Sequence, residues 1–153
     1  LYACTGILFN HESPLRPIRF VTRKIVRAAV RISHGANEKL TLGDMAIQRD
    51  WGWSPEYVDA MWRMLQIDHP EDFVIATGES NSLEEFVASV FSQLGLDWRK
   101  HVVQDPGLFR PSEIRYNCGN AEKAQRILGW SANKKMRDVI NEMIQFELET
   151  NEI

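Results

Sequence analysis

The feature that most constrains the fold is an apolar run near the start of the chain that ends in a cluster of polar residues. The run extends from Ala3 to Phe9, and the polar cluster begins at Asn10. This pattern is typical of a buried strand that leaves a parallel sheet and continues as a loop. Because ligands of open α/β sheets bind outside the carboxyl ends of the strands, His11 and Arg16 fall where a ligand could bind. The alternative is a solvated polar loop, which the spacing alone favours.

The composition is that of one soluble globular domain. The 153 residues are 44% hydrophobic and 25% charged, and the net charge is −3, so no basic excess indicates binding to nucleic acid. No apolar run approaches the length of a membrane-spanning helix, and no signal peptide is visible. Cys4 and Cys118 are far apart and lack metal-ligand spacing. We therefore expect reduced thiols in a cytoplasmic protein.

Hydrophobic periodicity predicts short strands that alternate with helices, which favours a parallel sheet with crossover connections. The predicted strands are 3–9, 40–42, 73–76 and 102–103. The predicted helices are 19–34, one from a cap at Ser54 to the residues before His69, one from a capping box at Ser82 to Gly95, 121–128 and 136–148.

Two helix faces carry specific expectations. In the first helix, an arginine recurs at every fourth position from Arg19 to Arg31, and a solvated face is the favoured interpretation for most of them. In the helix after Ser54, apolar residues recur at helical spacing, and we expect them to belong to the core. These residues are Tyr57, Met61, Met64 and Leu65, widened by Val58 and Trp62.

A series of short motifs then identifies a family. The motifs are Gly6 to Arg16, Phe20 to Lys24, Leu42–Gly43, Arg49 to Gly52, Asp72 to Gly78, Phe109 to Glu113 and Leu128 to Trp130. In the same order they resemble the C-terminal half of the GDP-mannose 4,6-dehydratases, a family of extended short-chain dehydrogenases/reductases. The resemblance implies an α/β fold: the C-terminal part of an extended Rossmann-type enzyme, with a small α+β substrate-binding region and the last sheet strands.

Two motifs of such enzymes do not occur in this sequence. There is no Gly-x-Gly-x-x-Gly, and no tyrosine has a lysine four residues later. The chain also begins at Leu1 and runs almost at once into a strand. We therefore expect residues 1–153 to be the substrate-binding C-terminal portion of a longer polypeptide whose N-terminal half binds the cofactor. We assign no catalytic residue and no metal ligand, expect the fragment alone to be inactive, and expect an apolar face left open for that half.

The resemblance also implies ligands and site residues. The resembled enzymes convert GDP-mannose to GDP-4-keto-6-deoxymannose with loss of water, use NADP as the hydride carrier, and form dimers or tetramers. His11 and Arg16 match positions that contact NADP. The positions that match substrate-binding residues are Asn10, Val21, Lys24, Arg49, Arg110 and Glu113. We expect the three cationic side chains among them to converge on one diphosphate-sized cavity.

The residue types suit these roles, although structural alternatives stay open. A guanidinium binds phosphate oxygens bidentately, as Arg49 and Arg110 would, and the carboxylate of Glu113 can accept from two ribose hydroxyls. Alternatively, Arg49 forms an ion pair with Asp50, and Arg110 forms a surface pair with Glu113. Pro111 predicts an extended backbone at Arg110.

Two other functions also remain open. The chain could belong to another extended short-chain nucleotide-sugar epimerase or reductase, or it could be a non-catalytic module that binds a nucleotide or a protein. One departure from the family pattern bears on the site. Asp44 stands where the family often has asparagine, and an extra carboxylate near a phosphate would weaken binding.

Overall fold

The computed structural model describes residues 1–110 and 112–150, which form short strands alternating with helices. The strands are β1 (Gly6–Leu8), β2 (Asn10–Glu12), β3 (Leu40–Leu42), β4 (Gln48–Arg49), β5 (Trp51–Trp53), β6 (Phe73–Ile75), β7 (Asn81–Ser82) and β8 (Val102–Gln104). The α-helices are α1 (Val21–Ser33), α2 (Ser54–Met64), α3 (Leu83–Gln93), α4 (Glu122–Leu128) and α5 (Met136–Thr150). Two short 3₁₀ helices cover Trp98–Lys100 and Pro106–Leu108. No described helix is both long and apolar enough to cross a bilayer.

The described strands pair in four two-stranded ribbons. Three ribbons are parallel (β1 with β6, β2 with β5, β3 with β8), and β4 with β7 is antiparallel. In the first ribbon Gly6 pairs with Phe73, and α2 precedes β6 along the chain. The parallel pairing confirms the predicted sheet with a crossover connection.

Strand β2 corrects the predicted loop after Phe9. The amide of Phe9 donates to the carbonyl of Ile75 at 2.9 Å, and the chain then passes directly from one ribbon into the next. In the second ribbon His11 lies opposite Gly52 of β5. Because β5 is distant in sequence, the local polar pattern could not reveal that these residues have a strand partner.

The buried apolar side chains form two separate clusters. The three-helix core packs α1, α3 and α5 against β3 and Trp51 of β5. The ribbon core packs α2 and α4 against β6, together with Trp130 and Ala132. Helices α3 and α5 turn apolar side chains towards the three-helix core, where Phe86, Val90 and Ile140 are fully buried.

The arginine row on α1 is only partly solvated, so the expectation of a solvated face is wrong at two positions. Helix α5 packs on α1 and brings in Glu147, which is 4% exposed. Its carboxylate lies 2.6 Å from Arg23 Nη1 and accepts from Arg27 Nε at 3.0 Å. Arg31 is more exposed and pairs with Glu38. Glu147, near the end of the chain, therefore pairs with the two arginines in the middle of the row, Arg23 and Arg27.

The helix termini follow most of the predicted signals. Ser82 and Glu85 form the predicted capping box, with Glu85 N donating to Ser82 Oγ at 3.1 Å and Ser82 N donating to Glu85 Oε2 at 2.7 Å. Gly129 ends α4 with a φ of +60°, the left-handed conformation that favours glycine. The cap prediction at Ser54 is wrong, since α2 already includes this residue and Trp53 precedes it without a side-chain cap.

Helix α2 buries far less than its sequence indicates. Tyr57 and Met64 are buried as predicted. Four other apolar residues of the predicted core stripe are exposed at 40–61% of their surface, so that prediction is wrong for them. They are Val58, Met61, Trp62 and Leu65, which we call the α2 face.

Candidate functional site

A cavity of about 820 Å³ lies between the carboxyl end of β2, the start of α1 and the residues 108–110, 113 and 115. Its volume is within the range of about 300–1,000 Å³ that small-molecule sites occupy. It brings together six of the eight predicted site residues. These are Asn10, Arg16, Val21, Arg49, Arg110 and Glu113.

Arg49 is held by partners within the cavity wall. Its Nη2 lies 2.5 Å from Glu113 Oε1, and its Nη1 donates to the carbonyls of Gln48 at 2.7 Å and Ile114 at 2.6 Å. The other Glu113 oxygen lies 3.9 Å from Arg110 Nη1, whose side chain is 81% exposed. One carboxylate therefore stands between the two arginines that were predicted to bind a diphosphate.

Asp50 does not pair with Arg49, so that alternative is wrong. Asp50 is fully buried, and its carboxylate accepts backbone hydrogen bonds from Thr77 N at 2.9 Å, Gly78 N at 3.0 Å and Gly119 N at 3.3 Å. The acid thus fixes three loop amides that follow β6 or precede α4. The predicted effect of Pro111 on the backbone lies outside the described residues.

Lys24 lies apart from the residues that line the cavity. Its exposed side chain donates from Nζ to the carbonyl of Thr41 at 2.7 Å. The expected convergence of three cations therefore holds for Arg49 and Arg110, while the role of Lys24 stays a prediction. Asp44 does line the cavity, and its Oδ1 accepts from Ala46 N at 2.9 Å.

His11 borders a second cavity, of about 480 Å³, which shares Asn10, Arg16 and Phe20 with the first. His11 Nδ1 lies 2.8 Å from the carbonyl of Phe9. Since a carbonyl can only accept, Nδ1 carries the hydrogen and Nε2 is left for other partners. The imidazole stacks on Tyr57 with 4.8 Å between ring centroids, which fixes its plane.

Arg16 stands in the wall between the two cavities. Its Nη1 pairs with Glu12 Oε1 and also donates to the carbonyl of His11 at 3.0 Å. Its guanidinium carbon lies 3.9 Å from the centre of the Phe20 ring. The cation is therefore held from three sides, although 22% of its side chain is exposed.

Glu12 is a site residue to which the sequence assigned no role. It is 1% exposed, it lines the larger cavity, and its Oε2 accepts from Thr22 Oγ1 at 2.7 Å. Burial raises the pKa of Glu12 to about 7, because the loss of hydration outweighs the attraction of Arg16 and the hydrogen bond from Thr22. The only local signal is the spacing of four residues between Glu12 and Arg16.

The cavity has a cationic lining. Five arginines line it among the described residues, against three acids, Glu12, Asp44 and Glu113. Arg19 and Arg115 are the two that were not assigned to the site; Arg115 follows the Phe109–Glu113 motif closely, which was its available signal. The first residues of α1 also line the cavity, and this helix has no acid in its first turn. Both features favour an anionic ligand.

Comparison with known proteins decides the family. A family model described as GDP-mannose 4,6 dehydratase matches residues 1–143. The chain belongs to the GDP-mannose 4,6-dehydratase family. GDP-mannose 4,6 dehydratase 1 of Arabidopsis thaliana is 48% identical over 149 residues, which cover 97% of this chain and 41% of the relative. GDP-mannose 4,6-dehydratase of Sinorhizobium fredii is 44% identical over an alignment of 165 positions including gaps, which covers 97% of this chain and 47% of the relative. The chain thus spans less than half the length of these relatives.

Solved structures agree on the fold of this GDP-mannose 4,6-dehydratase family member. RMD from Pseudomonas aeruginosa, complexed with NADPH, superposes with a TM-score of 0.84 at 20% identity, over 95% of this chain and 48% of that chain. The dTDP-glucose 4,6-dehydratase of Bacillus anthracis, in complex with NAD, superposes with a TM-score of 0.81 at 20% identity, over 96% and 45%. These matches confirm the predicted Rossmann-type α/β class.

Proposed function

We propose that residues 1–153 are the substrate-binding C-terminal portion of a GDP-mannose 4,6-dehydratase, a lyase that removes water from GDP-mannose. In this proposal the larger cavity holds GDP-mannose, and the smaller one, beside His11, holds part of NADP. The resembled enzymes use a tyrosine and a glutamate to move protons, and in this proposal both belong to an N-terminal half of the same polypeptide. The present chain binds and orients ligands, and alone it is inactive. A cytoplasmic location belongs to the same proposal and agrees with the free thiols of Cys4 and Cys118.

The observation that carries this proposal is the meeting of Arg49, Arg110 and Glu113 in one cavity of about 820 Å³. The two arginines come from segments far apart in sequence, and a nucleoside diphosphate needs such cations for its phosphates. Glu113 is the acceptor suited to ribose hydroxyls. Asn10 and Val21 lie on the same lining and would contact the remainder of the ligand, and Lys24 would reach it only if its bond to Thr41 opened.

The donor set beside the smaller cavity fits a nicotinamide dinucleotide. Arg16 supplies a permanent cation for phosphate, and the free Nε2 of His11 can bond a polar group of the ligand. When bound, NADP would supply the hydride acceptor and donor that the dehydration needs. His11 and Arg16 would hold it, and the stacking of His11 on Tyr57 would keep the imidazole in a fixed orientation.

The α2 face supports the assignment of a missing N-terminal half. Val58, Met61, Trp62 and Leu65 follow one another at helical spacing on one side of α2, and each is at least 40% exposed. Strand β1 also has one unpaired edge among the described strands, and Ile7 on it is 53% exposed. An exposed apolar stripe and an open strand edge both suit packing by further strands and helices. Dimers or tetramers of the whole protein are part of this proposal.

Ligand titration tests the proposal on the longer protein that contains this segment. We expect GDP-mannose and GDP to bind, UDP to bind much more weakly, and Arg110→Gln to weaken GDP-mannose binding about tenfold, because a charge-assisted hydrogen bond is lost. Arg63→Gln is the matched control, since Arg63 pairs with Asp59 on the surface of α2. Equal binding of UDP and GDP would instead favour another nucleotide-sugar epimerase or reductase.

The coding sequence upstream of Leu1 separates the enzyme from a binding module. The proposal requires a continuous reading frame that encodes a glycine-rich strand–helix turn and a Tyr-x-x-x-Lys motif. A start codon directly before Leu1 would favour a non-catalytic module that binds a nucleotide or a protein.

A further inference from the structure

Glu12 is a buried acid for which the proposed function has no use. Its carboxylate borders the larger cavity, yet the side chain is only 1% exposed, so it offers almost no surface to a ligand. Both oxygens already have partners: Oε1 pairs with Arg16 Nη1, and Oε2 accepts from Thr22 Oγ1 at 2.7 Å. A group so placed acts on ligands through its partners rather than by touching them.

The two partners of Glu12 belong to separate segments. Arg16 lies in the turn after β2, and Thr22, itself 1% exposed, lies in the first turn of α1. The carboxylate therefore ties the guanidinium to the start of a helix that is packed into the three-helix core. Without this tie, Arg16 would keep the carbonyl of His11 and the face of Phe20, which are a single neutral acceptor and a ring.

We propose that Glu12 is a positioning residue that fixes Arg16 in the wall shared by the two cavities and thereby sets the affinity for the dinucleotide. This inference rests on the proposed function, in which Arg16 binds NADP. A cation held by a buried carboxylate keeps one orientation before the ligand arrives, so less rotamer freedom is lost on binding. When ionised, the carboxylate holds both partners better than an amide would, because each of its oxygens is an anionic acceptor for one partner.

The test is a titration of NADP against the longer protein that contains this segment, with Glu12→Gln, Glu12→Asp and Thr22→Val. We expect Glu12→Gln to raise the Kd for NADP about tenfold, with kcat at saturating NADP within about twofold of the parent. Asp is too short to reach both partners and should give a smaller loss. Thr22→Val keeps the ion pair and should lose about threefold.

A double variant separates positioning from a general loss of structure. If Glu12 acts through Arg16, adding Glu12→Gln to an Arg16→Gln protein changes the Kd for NADP by less than about twofold. Glu71→Gln is the matched control, since Glu71 pairs with Lys123 at an exposed site and should leave the Kd unchanged.

The outcomes distinguish this inference from the proposed function. A parent protein that binds no NADP contradicts the proposed function itself. A parent that binds NADP while folded Glu12→Gln or Glu12→Asp binds it equally well overturns the role of Glu12 alone. A fall in kcat at saturating NADP that matches the loss of affinity would also overturn it, because Glu12 would then act on the chemistry rather than on cofactor binding. If Glu12→Gln does not fold, the result for Thr22→Val decides: unchanged NADP binding rejects the inference.

Discussion

The three-helix core and the ribbon core differ in what covers them. Helix α1 buries eight of its thirteen residues, whereas α2 buries three of its eleven. The sequences of the two helices are similarly rich in apolar residues, so the difference lies in their neighbours. Helix α1 packs against both α3 and α5, whereas α2 has β2, β5 and α4 on one side and no described element over Val58 and Trp62. The described chain therefore covers the three-helix core on all sides and leaves one side of the ribbon core open.

The buried charged residues are also unevenly distributed between the two cores. The buried charged residues among those described are Glu12, Arg23, Asp50 and Glu147. Glu12, Arg23 and Glu147 have partners on or beside α1, whereas Asp50 binds loop amides that follow β6 and precede α4. In the ribbon core the charged residues of α2, such as Arg63 and Asp59, pair on the surface. Three of the four buried charges therefore have partners at α1, whose first residues also line the candidate site.

The largest expected effect comes from a cavity in the three-helix core. Phe86 is fully buried, with its ring 5.1 Å from that of Trp51, so Phe86→Ala should lower the free energy of unfolding by about 4 kcal/mol. Urea unfolding of the 153-residue chain measures this. Trp62→Ala is the comparison on the α2 face, and we expect a change below about 0.5 kcal/mol. Equal losses for the two would mean that the ribbon core is as complete as the other.

The next largest loss of stability is expected at Asp50, which binds the loop amides that follow β6 and precede α4. Asp50→Asn keeps the size of the side chain but turns an NH₂ group towards backbone amides that now donate to a carboxylate, so we expect a loss of about 3 kcal/mol. The same unfolding experiment measures it. Asp59→Asn is the control, since its ion pair with Arg63 is exposed and should contribute less than about 0.5 kcal/mol. A small loss of unfolding free energy for Asp50→Asn would show that other contacts hold these loops in place.

A pH effect on stability is expected from Glu12, whose carboxylate bonds to the first turn of α1. The folded chain holds the proton of Glu12 more tightly than the unfolded chain, since burial raises its pKa from 4.5 to about 7. The stabilisation is therefore complete below pH 4.5 and is lost as the pH rises through 7. Relative to Glu12→Gln, the parent chain should lose about 2 kcal/mol of unfolding free energy between pH 5 and pH 8. A parallel pH dependence of the two proteins would place the carboxylate in water.

The substitution Trp62→Glu should have the smallest effect on the stability of this chain but a large effect on the stability of the longer protein. Trp62→Glu puts a charge on the α2 face, where the side chain is 61% exposed, so the 153-residue chain should change by less than about 0.5 kcal/mol. If an N-terminal half covers that face, the same substitution buries an unpaired charge there and should cost about 3 kcal/mol or more. Thermal unfolding in both contexts makes the comparison. A small effect in both would leave the α2 face uncovered.

Local sequence signals predicted the secondary-structure elements better than they predicted which parts of the chain pack against those elements. The strands at Leu40 and Phe73, the capping box at Ser82 and the stop at Gly129 depend on neighbouring residues, and the structure confirms them. The β2–β5 ribbon depends on a distant partner, and it was wrongly expected to be a loop. The α2 face was wrongly assigned to the core because helical periodicity shows which residues share a side, not what lies against that side.

The candidate site shows the same limit. The motifs indicated Arg49, Arg110 and Glu113, and these residues do line one cavity. The partners of these residues could not be predicted, since Arg49 takes Glu113 rather than Asp50, and Asp50 binds backbone amides. Glu12 received no role because its importance lies in burial and in a contact with Thr22 on another element. Residue types indicated the chemistry, whereas the choice of partners required the fold.

The pairing of Arg49 with Glu113 has a consequence for selectivity. Arg49 Nη2 and Glu113 Oε1 lie 2.5 Å apart, and the two charges neutralise each other. A phosphate that bound the guanidinium in place of Glu113 would leave this partly buried carboxylate without its nearest cationic partner. The vicinal hydroxyls of a ribose would donate hydrogen bonds to the Glu113 carboxylate. Free phosphate offers no such hydroxyls, and a deoxynucleotide lacks the vicinal pair. If the larger cavity binds a ribonucleoside diphosphate as proposed, this neutralised pair would favour a ligand that presents phosphate and vicinal hydroxyls together over one that presents only one of them.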